Sequence, residues 1–287
     1  MPRKAAAVWT NFASTLSEEE DVYEEKIILD HSADEITTAE ADELIALAEE
    51  KGKMLGAAPE TNYGAGVSTA KDLLAKGAIG KVLYADARFR WPGDENWHPN
   101  PAFLYQPGAG PLYDRGPYFL NILVDLFGSA KEVSAMTSIG FPTRTVTSKL
   151  RYGEVFPVET PSHVQGMIRF ENGVLCTLLL SFDIKGPKDS AIEVFGTEGS
   201  IMIREPITFG NPVYLSKNTS AYEQVPFVNN LTGNIRGYSV ADMARCIEEG
   251  HNNCMAEGTR ARHLLYIMEK MLESAETGRV CSIDVPL

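Results

Sequence analysis

From Gly128 onward the hydrophobic period of the sequence changes from helical to two, and this switch constrains the fold more than any other feature. The stretches S-A-K-E-V-S-A-M-T-S-I (129–139), R-T-V-T-S-K-L (144–150) and H-V-Q-G-M-I-R-F (163–170) alternate apolar and polar residues, as strands with one buried face do. E-N-G-V at 171–174 places an Asn-Gly pair ahead of V-L-C-T-L-L-L-S-F, a strong hairpin signal. Further strands follow at A-I-E-V-F-G-T and S-I-M-I-R, joined through Glu198 and Gly199. Hairpins in succession predict one broad, mostly antiparallel sheet.

Helical periodicity brackets this sheet. T-A-E-A-D-E-L-I-A-L-A-E-E-K-G, from Thr38, has apolar residues at helical spacing, acids in its first turn, Lys51 in its last and Gly52 as a stop. K-M-L-G-A-A-P reads as a strand, G-A-G-V-S-T-A-K-D-L-L-A-K-G-A-I-G as a glycine-bounded helix, and K-V-L-Y-A-D-A-R-F-R as another strand. The chain closes with helix G-Y-S-V-A-D-M-A-R-C-I-E-E-G, a helix over about Thr259–Thr277 stopped by Gly278, and strand V-C-S-I-D-V. The expected class is α+β: a large open sheet with helices packed on one face. Residues 1–37 are atypical, with an acidic run that offers a capping box at Ser17 and Glu20, then a short strand at Ile27–Asp30.

Polar chemistry concentrates between Trp97 and Gly128, where a Trp-His-Pro entry and a Gly-Pro-rich turn precede an apolar helix expected to begin near Pro117. Asp114 and Tyr118, four residues apart across that start, should face one space. Asp114 reads equally as a helix N-cap or as a functional carboxylate. Tyr118 reads either as a half-buried helix tyrosine or as a proton-transfer group; a phenol of ordinary pKa near 10 needs a neighbouring cation, Lys26 or Arg115, to act as a base at neutral pH. Trp97, His98, Tyr105 and Gln106 are candidates to line a pocket for a polyhydroxylated ligand, and Arg236 reads either as reaching its polar groups or as one side of a surface ion pair. His163, His251 and His263 read as ordinary side chains, and no set of residues has metal-ligand spacing.

The formal net charge of -13 argues against nucleic acid or anionic lipid as partners. Four cysteines without a C-x-x-C pair fit a reduced, cytoplasmic chain, and neither a bilayer-crossing run nor a signal peptide is read. Gly64-x-Gly66 opens a helix about 20 residues ahead of Asp86, but Thr69 stands where a third glycine belongs and Pro59 to Tyr63 spoil the tight turn that a dinucleotide loop needs. The plainer reading is a flexible helix entry.

From residue 38 to the end, A-D-E-L-I-A-L-A-E-E-K-G-K-M-L-G-A-A-P-E-T, L-L-A-K-G-A-I-G-K-V, Y-Q-P-G-A-G-P-L-Y-D-R-G-P-Y, F-E-N-G-V, F-G-T-E-G-S and V-A-D-M-A-R-C-I-E-E-G resemble the Gfo/Idh/MocA oxidoreductases. The resemblance implies an N-terminal Rossmann domain binding NAD or NADP and a C-terminal α+β domain whose open sheet often mediates homo-oligomerisation. It also implies hydride transfer between nicotinamide and a sugar or cyclitol alcohol carbon. In the family's Asp-x-Gly-x-His pattern this chain has Asp114-Arg115-Gly116-Pro117-Tyr118, with tyrosine in place of histidine; Glu25-Lys26-Ile27 is its nearest match to the family's Glu-Lys-Pro, making Lys26 a catalytic candidate beside Asp114 and Tyr118. No glycine fingerprint precedes residue 38, so residues 38–60 are expected to be the end of a Rossmann domain and 61–287 the C-terminal domain. Two functions follow: an NAD(P)-dependent oxidoreductase reduced in its cofactor domain, or a substrate-binding or oligomerising domain without catalysis of its own.

Overall fold

The computed structural model describes residues 37–251, 254–285 and 287, together with the backbone of 27–30. Lys26 and the acidic run with its capping box lie outside these residues. In chain order the strands are β1 (Ile27–Asp30), β2 (Met54–Ala57), β3 (Val82–Arg90), β4 (Ala130–Ser138), β5 (Thr143–Thr145), β6 (Val155–Pro157), β7 (His163–Phe170), β8 (Leu175–Ser181), β9 (Asp189–Gly196), β10 (Gly199–Arg204), β11 (Val213–Lys217), β12 (Glu223–Gln224) and β13 (Cys281–Ser282). The helices are α1 (Thr38–Glu50), α2 (Ala65–Ala75), α3 (Gly110–Phe127), α4 (Tyr238–Glu249) and α5 (Gly258–Thr277).

Among the described residues, nine strands form one sheet in the order β12-β11-β10-β9-β3-β8-β7-β4-β13. Its pairs are antiparallel except β3 with β8. The α+β expectation of a large, mostly antiparallel sheet is met. Its hairpins form as their turns dictate: Gly173 takes φ +88°, which glycine adopts at little cost, while Asn172 Oδ1 accepts from Val174 N at 3.0 Å. The parallel insertion of β3 between β8 and β9 was not legible, because its partners lie 91 to 114 residues downstream.

Two expectations are corrected. The stretch 144–150 does not join the sheet; Thr143–Thr145 pairs instead with Val155–Pro157 in a separate two-stranded hairpin. Helix α3 begins at Gly110 rather than near Pro117, with Pro111 in its first turn and Pro117 inside. A proline fits a first turn without loss, whereas Pro117 forfeits one backbone hydrogen bond. The helix runs through it because Leu112, Gly116, Phe119, Leu120 and Leu123 make one continuous buried face. Asp114 is therefore a residue of the helix and not its cap.

Along β7, Val164, Gly166, Ile168 and Phe170 are buried while Gln165, Met167 and Arg169 are exposed, so the sheet has a core face and an open one. Phe89, Phe119, Phe182 and Tyr105 meet edge-on in the core. On the open face Tyr84 and Phe195 stack at 4.6 Å, and Arg88 pairs with Asp86, Asp189 and Glu193 at 2.8, 2.7 and 2.6 Å.

His263 of α5 closes the far end of this core. Its Nε2 accepts from Ala130 N at 3.1 Å, which leaves Nδ1 to donate to the Val285 carbonyl at 2.6 Å. Burial holds its pKa below the ordinary histidine value, so the folded state keeps the ring neutral while the unfolded chain protonates near pH 6.5. The unfolded state then binds more protons, and stability falls as pH drops from about 6.5 toward the depressed folded pKa. Thermal melts between pH 8 and 5 should show this decline, and His263→Gln should flatten it.

Candidate active site

The first strand pair sits beside the larger unit. β1 and β2 are parallel, with Ile27 opposite Met54, and β2 continues into the Ala58–Pro59 segment. Helix α1 starts at a capping box in which Thr37 and Glu40 satisfy each other's backbone donors, and it is pinned to α5 where Thr38 N donates to Glu269 at 2.7 Å. Between α1, β2, α3 and α5 lies a cleft of about 290 Å3.

Its walls are mostly apolar, with Leu44, Ile45, Leu55 and Leu265 among them, and its polar groups are Tyr113, Asp114, Tyr118 and Arg262. Asp114 and Tyr118 meet here because i and i+4 share one helix face. Asp114 Oδ2 lies 3.0 Å from Arg115 Nε. Above the Tyr118 ring, at 5.9 Å, lies the exposed guanidinium of Arg236. That placement comes from Glu60, 4% exposed, which accepts from Gly237 N at 2.8 Å, Ser239 N at 3.2 Å and the Ser239 hydroxyl, so it caps α4 from across the chain. Tyr113 cannot serve as a base at neutral pH, since burial, then the charge of Glu269, pushes its phenol up to about 12.

Other candidates are placed elsewhere. Trp97, 58% exposed, and His98 stand on the loop after β3, where the His98 ring contacts both Trp97 and Phe103. Gln106 is exposed at the end of a short 3-10 turn. Tyr105 is fully buried; its hydroxyl donates to Glu95 at 2.5 Å, and burial pushes its pKa far up. None of these four lines the cleft. Arg262, which sequence reasoning passed over, does, and donates to Asp42 at 2.8 Å. Gly258, Ala261, Arg262, Leu265 and Met268 recur at helical spacing, and this signal would have found it.

Gly64 and Gly66 do not form a dinucleotide loop. Gly64 and Gly66 are pressed against backbone, where an added Cβ would meet Phe209 at 2.6 Å and Asn211 at 2.8 Å, so the flexible helix entry is a packed one. The donors that open α2 are spent: Ala65 N on Leu231 O and Gly66 N on Phe209 O. With α1 closed by its capping box and α4 by Glu60, the N-termini of these three helices are all taken. Among the described residues no group of three or more His, Cys, Asp or Glu is placed to hold a metal, and no helix is long and apolar enough to cross a membrane. The four cysteines are free and buried.

Comparison with known proteins supports the resemblance read from the motifs. Residues 67–202 match the GFO/IDH/MocA C-terminal domain. The uncharacterized oxidoreductase YdgJ of Escherichia coli (strain K12) is 33% identical over 96 residues, 32% of this chain and 27% of that protein. The match thus spans about a quarter of YdgJ's length. An oxidoreductase from Agrobacterium radiobacter, solved with NAD+, L-tartaric acid and magnesium, superposes with a TM-score of 0.67 at 16% identity over 90% of this chain and 72% of that one. The aldose-aldose oxidoreductase of Caulobacter crescentus, solved with glycerol, gives 0.68 at 21% identity over 86% and 69%. At such identities these two likenesses speak to the fold. Residues 67–202 thus match the C-terminal domain of the Gfo/Idh/MocA oxidoreductases, the family that the motifs resemble.

Proposed function

We propose that the chain is the polyol-binding part of an NAD(P)-type oxidoreductase acting at a secondary alcohol of a sugar or cyclitol, with the cleft of Asp114 and Tyr118 as its substrate site. The observation that carries this reading is the pairing of those two side chains on one face of α3, in an apolar cleft against β2. A carboxylate accepts hydrogen bonds from ligand hydroxyls, a phenol both donates and accepts, and the apolar walls take the C–H faces of the ring. Arg236 supplies the cation beside Tyr118; Arg115 faces Asp114 instead. When bound, the nicotinamide would supply or take the hydride. No described residue is assigned to hold it; Lys26 is a candidate by the family pattern alone, and Trp97, His98, Tyr105 and Gln106 by the chemistry of their side chains.

In this reading residues 38–60 end a cofactor domain and 61–287 form the substrate domain, the protein is cytoplasmic, and the open sheet pairs copies of the chain. The second reading, a binding or oligomerising domain without catalysis, is favoured by the closed helix N-termini. Cofactor fluorescence separates the two. Titration with NADH and NADPH in the presence of polyol should show saturable binding under the first and none under the second.

Asp114→Asn and Tyr118→Phe should each weaken polyol binding about 10- to 100-fold, as loss of a hydrogen bond to a polar or charged group does. Calorimetric titration checks this, and unchanged affinity in both variants would place the ligand elsewhere.

A further inference from the structure

We propose that Arg115, anchored by the buried carboxylate of Asp94, is a positioning residue that fixes the Asp114 carboxylate in the cleft and couples it to the Trp91–Trp97 loop. The inference rests on the reading of Asp114 as the ligand-facing carboxylate.

Asp94 is 2% exposed, yet it has donors on both oxygens. Oδ1 accepts from the indole N–H of Trp91 at 2.7 Å and of Trp97 at 2.9 Å, and Oδ2 accepts from Arg115 Nη2 at 2.9 Å. Its backbone carbonyl accepts from Trp97 N at 3.3 Å and His98 N at 3.0 Å. One buried acid therefore sets the whole turn that presents Trp97 and His98, and a buried charge keeps its position only while such partners hold it.

The other edge of Arg115 meets the cleft. Its Nε lies 3.0 Å from Asp114 Oδ2, and its Cζ lies 5.5 Å over the Phe89 ring. A guanidinium is a rigid planar fork, so fixing one edge on Asp94 fixes where the other edge meets Asp114. A lysine, as a point charge, cannot span both carboxylates in this way. Among the described residues, the remaining charged or titratable groups lining the cleft with Asp114 are Tyr113 and Tyr118 on its own helix and Arg262 on α5, while α1 and β2 contribute apolar groups alone. Arg262 is engaged by Asp42, and Arg115 meets Asp114 directly.

The loop and the cleft are otherwise separate, since neither Trp97 nor His98 lines the cleft. Through Asp94 and Arg115, a ligand that reaches the loop acts on the same carboxylate as a ligand held in the cleft. Loop residues can therefore affect binding without touching what the cleft holds.

The test needs neither cofactor nor turnover. The purified chain, labelled with 13C at aspartate carboxyls and assigned with Asp114→Asn, is titrated by NMR. Arg115→Gln should raise the Asp114 midpoint by about one unit or more, the usual effect of removing an opposite charge in contact, and Arg115→Lys by a smaller amount. Asp94→Asn should shift two of the three indole N–H resonances together with the Asp114 carboxyl resonance. Circular dichroism confirms that each variant is folded. A folded Arg115→Gln chain in which Asp114 titrates as in the wild type overturns the inference; if that variant does not fold, the same outcome in Arg115→Lys does so. Polyol titration of the wild-type chain judges the functional reading separately, because failure to bind a polyol leaves the carboxyl titration intact.

Discussion

Replacing Arg144 with methionine is expected to cost about 3–5 kcal/mol of folding stability, the usual result of stripping one partner from a buried ion pair. Arg144 is 6% exposed and lies in β5 of the separate two-stranded hairpin. Nη1 donates to the Pro92 carbonyl at 3.1 Å and to Glu95 at 3.2 Å, while Nη2 donates to the Phe182 carbonyl at 2.8 Å and to Asp183. Its guanidinium sits between the rings of Phe141 and Tyr105, at 4.9 and 5.1 Å. Methionine fills much of the volume but leaves Glu95 and Asp183 buried without their cation. Arg144→Lys should restore part of the loss, since it keeps the charge but cannot reach both carbonyls and both acids at once. Denaturant melts of the two variants check the order, and a methionine variant within 1 kcal/mol of wild type would mean that water replaces the arginine.

The second large effect is expected at Glu60. Glu60→Ala removes the acceptor of three hydrogen bonds at the start of α4, and two buried donors on Ser239 then lose their partner. Loss of a charged cap together with unsatisfied donors should cost about 2–4 kcal/mol. The loss should be local. Hydrogen exchange is expected to quicken in α4 and in the 230–237 segment while the nine-stranded sheet keeps its protection. Because the same carboxylate places Arg236 over Tyr118, polyol affinity should fall as well, though neither Glu60 nor Arg236 lines the cleft.

Both residues show why some of this molecule was readable from sequence and some was not. Alternation along 163–170, the Asn-Gly turn at 172–173 and the Gly278 stop are local signals, and each element formed where its own residues dictated. The spacing of Asp114 and Tyr118 was likewise local, and the two meet in one cleft. No local signal marks Arg144 as a buried ion-pair residue, because its acids come from positions 95 and 183. No local signal marks Glu60 as a cap, because the helix that it caps starts 178 residues later. Tyr105 was judged by its neighbours in a Gly-Pro-rich stretch, whereas its place is set by Phe156, Phe182 and Arg144 from distant strands. The start of α3 was misjudged for a related reason: propensity put the boundary at Pro117, while packing of the whole apolar face moved it to Gly110. Local pattern located the elements and the helix face of the cleft, and long-range charge pairing decided which polar residues support it.

The most direct measurement is a calorimetric titration of the purified chain with a panel of cyclitols and hexoses, myo-inositol and D-glucose first. The account predicts saturable binding of at least one polyol at one site per chain, weakened in Asp114→Asn and in Tyr118→Phe. Absence of binding across the whole panel, or binding that both substitutions leave unchanged, would contradict it.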